Sequence, residues 1–536
     1  MNNILLNQIG FLNKGIKEVT FRNGAISDSF VIVDDKSNEK VAEFKQSEPF
    51  ENESSGEKCS RGDFSAFDKT GTYRVVSGTD TSYPFKIGND VYDDLIRDLT
   101  YMLHLQRCGC ELTEKEAGEF AHLSCHDTPA RVYGTDEFID VSGGWHDAGD
   151  YGRYIVPGAK TITDILLAYI IQPEKMSFSM GLNSEGLPDA LEEMKYEIDW
   201  MLKMQRSDGA VYHKVTCASF PEMDVFPEEE REELIVCPIS NASAACFAAT
   251  MAIAYKVYGK FDKEYAGRLL EAGKRAFDYL DNNAEDEGFH NPSDIHTGEY
   301  GDDDWKDEYL WAAGALFYAD GGDRYKEVAE KLYETELSGG FGWEDTGLYG
   351  GYLYINSEKA DPVIRSKMIE RMEAYADRAL ALAENDAYGC GIPVEKFVWG
   401  SNSLVANLAM LFLVMNDLDE IKADKKERYL HMAQRQVNYL LGQNGTDYCF
   451  VTGFGSNGSK KPHHRPSVKK QKAMKGMLVG GPDRYMQDPV VEENRSGCAP
   501  ALCYIDEWGS YSTNEITIYW NTPLIYALVR MAGDTV

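Results

Sequence analysis

The stretch VYDDLIRDLTYMLHLQRCG, residues 91–109, is where the chain changes its hydrophobic period. Val91, Leu95, Leu99, Met102 and Leu105 recur at steps of three and four, which puts them on one face of an amphipathic helix. Upstream the pattern is different. SFVIVDD at 29–35 and GTYRVVSG at 71–78 are short β-branched or aromatic runs bounded by Gly, Asp and Ser, and SYPFKIG closes the series. Several such strands in under 90 residues predict a small β-sandwich over residues 1–88. Downstream, helical periodicity recurs near 155–171, 188–205, 240–259, 263–283, 307–319, 323–335, 364–384, 402–416, 424–441 and 515–532. No comparable strands separate these helices, so residues 89–536 are expected to be an all-α domain of antiparallel helix pairs. The absence of a fixed-period repeat favours a closed toroid over an open solenoid.

At 536 residues the chain is too long for one ordinary core. A formal charge of −34 repels phosphates and excludes nucleic acid as a partner class. No window approaches the uninterrupted apolar length of a membrane span. The N-terminus MNNILLNQIGFLNK lacks the basic segment and apolar run of a secretory leader. Eleven cysteines without a framework rhythm read as reduced thiols. A cytoplasmic protein is therefore expected, with a secreted protein whose leader has been removed as the alternative.

Three constellations carry candidate chemistry. GGWHDAGDYGRY at 143–154 places His146 beside Asp147, with Asp150 three residues on. Far away, YSTNEITIYWNTP at 511–523 sets Glu515 among aromatic residues at the expected start of the last helix. Hydrolysis of a glycosidic bond needs one carboxylic acid to protonate the leaving oxygen and one carboxylate to activate water. Poorly solvated surroundings keep the acid protonated, and Glu515 has such neighbours in sequence. Any one of these carboxylates taken alone reads far better as a helix cap or a solvated loop charge. The third is FVTGFGSNGSKKPHHRPS at 450–467, which offers His463, His464 and Arg465 as donors for sugar hydroxyls. Trp305, Trp399 and Tyr511 add flat apolar faces of the kind sugar rings stack on, and Trp311 sits at helical spacing where core is expected.

Cys108, Cys125, His126 and His146 could make a closed tetrahedral zinc site, with Cys110 as a spare thiol. From spacing alone, buried unlinked cysteines and ordinary loop histidines read better, because no C-x2-C knuckle is present. GDDDWKDE at 301–308 offers Asp302 and Asp307 to calcium, or a solvated charge cluster.

Taken together, these motifs resemble glycoside hydrolase family 9, inverting β-glucanases of the subgroup with an N-terminal immunoglobulin-like domain. NQIGF at 7–11 is similar to the first strand of that domain, and GGWHDAGDYGRY to the base-bearing loop. Tyr504, Asp506, Tyr511, Glu515, Thr517, Asn521 and Thr522 match the C-terminal signature. The histidine-loop signature matches from Val451 through Arg465 and departs at Cys449, where the family usually has Ser, Thr or Val. The resemblance implies an (α/α)6 toroid after an immunoglobulin-like sandwich. It implies Asp150 as general base, Asp147 as the residue that helps hold the attacking water, and Glu515 as general acid. His463 and Arg465 would contact substrate, with Tyr511 near the cleavage point. It also implies a structural zinc on Cys108, Cys125, His126 and His146, and makes calcium at Asp302 and Asp307 reasonable. The expected substrate is a soluble cello-oligosaccharide or β-glucan, because no carbohydrate-binding module or dockerin follows residue 533. An endoglucanase on cellulose, or an exo-β-glucosaminidase on chitosan oligomers, is the alternative. The acidic loop 217–237 would block one end of a cleft, attract a cationic amino-sugar, or be a solvated excursion.

Overall fold

The computed structural model describes residues 2–182, 186–283, 288–337 and 340–533. It divides into two compact units, one made of Met1–Met102 with Ala376–Val536 and the other of Leu103–Tyr375. The sequence boundary at residue 88 falls inside the first unit.

In that unit the N-terminal segment forms two sheets. One is four-stranded, and in the other Ser29–Asp34 and Gly71–Ser77 lie side by side, antiparallel, with Val31 opposite Val76. Alternate residues point inward, as the period of two requires. The resulting core is aromatic: Phe11, Phe21, Phe30, Phe64 and Phe85 are buried together, with Phe11 edge-on to both Phe64 and Phe85. The NQIGF stretch contributes only the two-residue strand Gly10–Phe11, which pairs in parallel with Phe85–Ile87. The helices Ser401–Asp417, Ala423–Leu440 and Ile518–Gly533 pack in the same unit.

The second unit alternates two kinds of helix. Ile155–Ile171, Asn241–Tyr258 and Lys306–Asp320 are apolar nearly all round and pack on one another. A helix buried on every side needs such a sequence. Asp189–Lys203, Lys263–Asn282 and Asp323–Glu336 bury one stripe only and pack outside them. Each fully buried Leu, Ile or Phe in these interfaces contributes roughly 1.5–3 kcal/mol relative to exposure.

Three features depart from the sequence reading. The last helix starts at Ile518, so Glu515 precedes it on extended backbone. Ladder contacts of Glu515 with His463 and of Ile516 with Val479 hold that segment out of the helix. The helix Gly347–Ile355, GLYGGYLYI, has too many glycines for periodicity to mark it, yet Gly350 and Gly314 let two helix backbones touch. Finally, a five-stranded sheet lies within the second unit, in the order Phe138–Ile139, Ala130–Val132, Ile235–Val236, Lys214–Thr216, Arg153–Tyr154. Strands of two or three residues carry no detectable alternation.

Candidate active site and metal centre

The two groups of candidate catalytic residues lie one in each unit. In the second unit, residues 143–154 form a loop pinned from behind at almost every residue. Glu197 accepts from the Trp145 backbone N–H at 2.7 Å, and Glu193 accepts from the Trp145 indole at 2.9 Å. The Gln106 carbonyl takes the His146 N–H, while the Gln106 side chain donates to the carbonyls of His146 and Ala148. Arg153 donates to the carbonyls of Val141 and Gly143. Gly144, at φ +80°, lies so close to the Trp200 indole that a Cβ would sit 2.7 Å from it.

This loop holds both expected carboxylates in place and buries them, Asp147 at 1 % exposure and Asp150 at 7 %. The Asp147 N–H donates to Gly152, and the Gly152 N–H donates to Asp150 Oδ2 at 2.9 Å. The hydroxyl of Tyr300 donates to Asp147 Oδ2 at 2.6 Å. Asp147 Oδ1 is buried with no hydrogen-bond partner among the described residues. Burial raises the Asp147 carboxyl well above the usual carboxylate range; the Tyr300 hydrogen bond opposes this and the Asp150 charge adds to it.

Around His146 of this loop, Cys108, Cys125, His126 and His146 converge with their ligand atoms within 4.8 Å of one another. Zinc bonds of about 2.3 Å to sulfur and about 2.0–2.1 Å to nitrogen set tetrahedral ligand atoms about 3.3–3.8 Å apart. Here His146 Nε2 is 3.4 Å from His126 Nδ1, Cys108 Sγ is 3.6 Å from His126 Nδ1, and Cys125 Sγ is 3.8 Å from His146 Nε2. The donor set fits zinc. Burial opposes ionisation of Cys108, but the Cys125 thiol and the charges of Arg153, His146 and His126 hold its pKa well below that of a free thiol, while the same contact with Cys108, together with burial, pushes the Cys125 thiol up. Gly109, at φ +76°, makes the convergence possible, since a Cβ there would lie 2.3 Å from the Gly143 nitrogen. Cys110 lies outside the cluster. His126 turns its other nitrogen to Glu230 at 2.9 Å, the carboxylate–histidine arrangement that orients metal-bound imidazoles. Glu230 belongs to the acidic loop 217–237, which is fastened a second time where Tyr151 donates to the Val225 carbonyl.

Asp302 and Asp307 cluster with Glu308, which the sequence reading did not single out. Both carboxylate oxygens of Glu308 are buried without a hydrogen-bond partner among the described residues. Burial raises its pKa well above normal, and Asp307 and Asp302 add to the shift. An oxygen-only, acidic donor set of this kind suits calcium. Trp305, at the start of the adjoining helix, is 5 % exposed with its ring 5.4 Å from Tyr309. It is packed as core, and its face is not presented as the sequence reading expected of a sugar platform. Trp311 is core as well, stacked on Tyr349.

In the first unit, Glu515 follows the short helix Tyr511–Asn514, and its carbonyl accepts from Gly480. Asn514 is the hub beside it. It accepts from the Tyr504 hydroxyl at 2.7 Å and from Ser459 at 3.0 Å, donates to the Lys461 carbonyl and to Asp506, and its own carbonyl takes the His463 N–H. His463 donates through Nδ1 to the Trp508 carbonyl at 2.8 Å, which leaves Nε2 as the acceptor of a neutral ring. Burial pushes the His463 pKa down to about 4, with the Trp508 carbonyl opposing and Arg465 assisting. The ring of Tyr511 lies 5.9 Å from His463 and 5.3 Å from Trp399, and Trp399 is 41 % exposed. Arg465 opens the helix Arg465–Lys470 and is buried.

The profile "Glycosyl hydrolase family 9" matches residues 92–528. The chain belongs to glycosyl hydrolase family 9. It is a glycoside hydrolase, and its N-terminal segment matches "Cellulase N-terminal ig-like domain" over residues 1–82. The family 9 chain is 34 % identical to a cellodextrinase of Butyrivibrio fibrisolvens, covering 98 % of this chain and 99 % of that one. It is 30 % identical to endoglucanase D of Acetivibrio thermocellus, covering 98 % and 82 %. Among solved structures, a single mutant of the thermostable endoglucanase from Alicyclobacillus acidocaldarius superposes with a TM-score of 0.93 at 36 % identity, covering 99 % of this chain and 100 % of that one. The fold class is therefore the one the sequence implies, an immunoglobulin-like domain followed by a largely helical family 9 domain.

Of the residues involved, sequence reasoning missed Tyr300, Glu193, Glu197, Glu230 and Glu308. Tyr300 sits in a glycine-flanked loop, and the glutamates are single acidic residues on helices or in an acidic run. None carries a local signal.

Proposed function

We propose that this enzyme hydrolyses β-1,4-glucosidic bonds of soluble cello-oligosaccharides with inversion at the anomeric carbon. Residues 1–88 would be the sandwich domain and 89–536 the catalytic domain. The observation that carries the reading is the pair Asp147 and Asp150, buried on one loop with Asp147 Oδ1 unclaimed by any donor among the described residues. Asp150 accepts a proton from a water molecule while the water's own oxygen bonds to the anomeric carbon and the bond from that carbon to the glycosidic oxygen breaks. Asp147 accepts that water's second hydrogen and so fixes its orientation. Glu515 delivers a proton to the departing glycosidic oxygen, so charge on the leaving group does not build up. Neutral His463 offers Nε2 to a sugar hydroxyl, Arg465 donates, and Tyr511 with Trp399 supplies an apolar face to a ring.

Cys108, Cys125, His126 and His146 would hold zinc, and Asp302, Asp307 and Glu308 calcium. Four protein ligands would leave no open coordination position, so the ion would supply a structural cross-link between His146 on the base loop and Cys108, Cys125 and His126. Eleven cysteines, none paired, favour a reducing compartment such as the cytoplasm.

The extensive match to a protein named cellodextrinase supports short soluble chains; the match to endoglucanases supports polymeric cellulose as the second reading. Product analysis on cellohexaose, on swollen cellulose and on glucosamine oligomers separates these. Following the anomer by NMR during cleavage is expected to show the α-product first. Release of the β-anomer would eliminate the inverting mechanism, and cleavage of glucosamine oligomers alone would move the substrate to chitosan.

A further inference from the structure

The side chain of Gln8 reaches from the sandwich into the loop that carries His463 and Arg465. Gln8 is 6 % exposed, and its backbone N–H donates to Leu441, just past the helix Ala423–Leu440. Its amide is spent entirely on the loop beyond. Nε2 donates to the Asp447 carbonyl at 3.1 Å, and Oε1 accepts from the Asn457 backbone N–H at 2.8 Å. Asn457 closes the triangle by donating from its own side chain to the same Asp447 carbonyl.

Two glycines make room for this side chain. A Cβ on Gly442 (φ +128°) would fall 2.7 Å from Gln8 Cγ, and one on Gly455 (φ +73°) 2.9 Å from Gln8 Oε1. From Asn457 the framework is continuous. The Asn457 carbonyl takes the Cys449 N–H, the Ser459 N–H donates to Cys449, and the Ser459 hydroxyl donates to Asn514. Asn514 in turn accepts the His463 N–H and directly precedes Glu515.

We propose that Gln8 is a positioning residue for substrate binding: the sandwich domain uses its amide to set the loop from Asp447 to Arg465, and so the placement of His463 against the sugar. The inference rests on the reading of His463 and Arg465 as substrate contacts. A purely adhesive residue would bond the helices of the catalytic domain, whereas the amide of Gln8 bonds only loop backbone.

The test compares the full-length Q8A and Q8E proteins with V75A, which removes volume from the sandwich core, and with H463A. For Q8A, KM for cellohexaose is expected to rise about tenfold with kcat within about threefold. Amide exchange at Asn457–Ser459 should accelerate, while V75A lowers the melting temperature without moving KM. Q8E keeps the acceptor for Asn457 and should recover part of the loss, and it serves in place of Q8A should that variant not fold. A KM that rises in H463A but not in Q8A or Q8E overturns the positioning role. An unchanged KM in H463A overturns the reading of the loop itself, and the proposal with it.

Discussion

Tyr300 and Asp147 are 153 positions apart in sequence, yet the hydroxyl of one lies 2.6 Å from the carboxylate of the other. Tyr300 reaches it from a left-handed backbone, φ +48°, which costs on the order of 1 kcal/mol or more in a residue other than glycine. The loop around it is held by His213, which bonds the Glu299 carbonyl, and by Lys214, which donates to Gly298, Thr297 and Asn291. A hydrogen bond to a charged group is worth about 1.5–3 kcal/mol, or roughly tenfold to a hundredfold in rate if it serves the transition state. Y300F is expected to lose that much kcat on cellohexaose with little change in melting temperature. Full turnover in Y300F would remove Tyr300 from the catalytic apparatus.

Removing either proposed proton-transfer group should be more severe. D150A and E515A are each expected to lose about 10²–10⁴-fold in kcat with the circular dichroism spectrum unchanged. Steady-state rates above a tenth of the parent in either variant contradict the assigned role.

The proposed zinc ligands predict a different signature. C125S and H126A should lower bound zinc, measured by atomic emission, and depress the melting temperature, with rate affected secondarily. E230Q should weaken zinc about 10–100-fold by loosening His126. Unchanged metal content in both ligand variants would mean that the cluster holds no metal.

At the acidic cluster, calcium is expected to raise the melting temperature of the metal-stripped protein by binding the folded state. E308Q should abolish that increment. A calcium response that survives in E308Q assigns the ion to another site.

Glu18 provides a pH-dependent element. Burial opposes its ionisation, but His431 and Arg435 hold its pKa at about 2, and Arg435 bonds both carboxylate oxygens, at 2.6 and 2.8 Å. Because the folded value lies below the unfolded one, the stabilisation is complete above about pH 4.5 and is lost as pH falls towards 2; a shift of this size is worth about 3 kcal/mol. Thermal melts of the wild type and E18Q should therefore converge across that interval. A constant gap between them would show that the ion pair does not titrate with folding.

What the sequence alone determined is whatever local chemistry writes locally. The switch of period at residues 91–109, the strands at 29–34 and 71–77 and helices such as Ile155–Ile171 follow from side-chain spacing. The loop around Asp147 and Asp150 was legible because its glycines and acids are contiguous, and the cysteine–histidine set became legible only through the family resemblance. Tertiary structure decided the rest. It moved Glu515 off the last helix, because ladder contacts to residues 463 and 479 outweigh helix continuation. It withdrew Trp305 into the core, added Glu308 to the acidic cluster, and brought Tyr300 to Asp147 and Gln8 to Asn457. These pairings join residues up to 449 positions apart. No periodicity encodes them, because their partners are chosen by how whole elements pack.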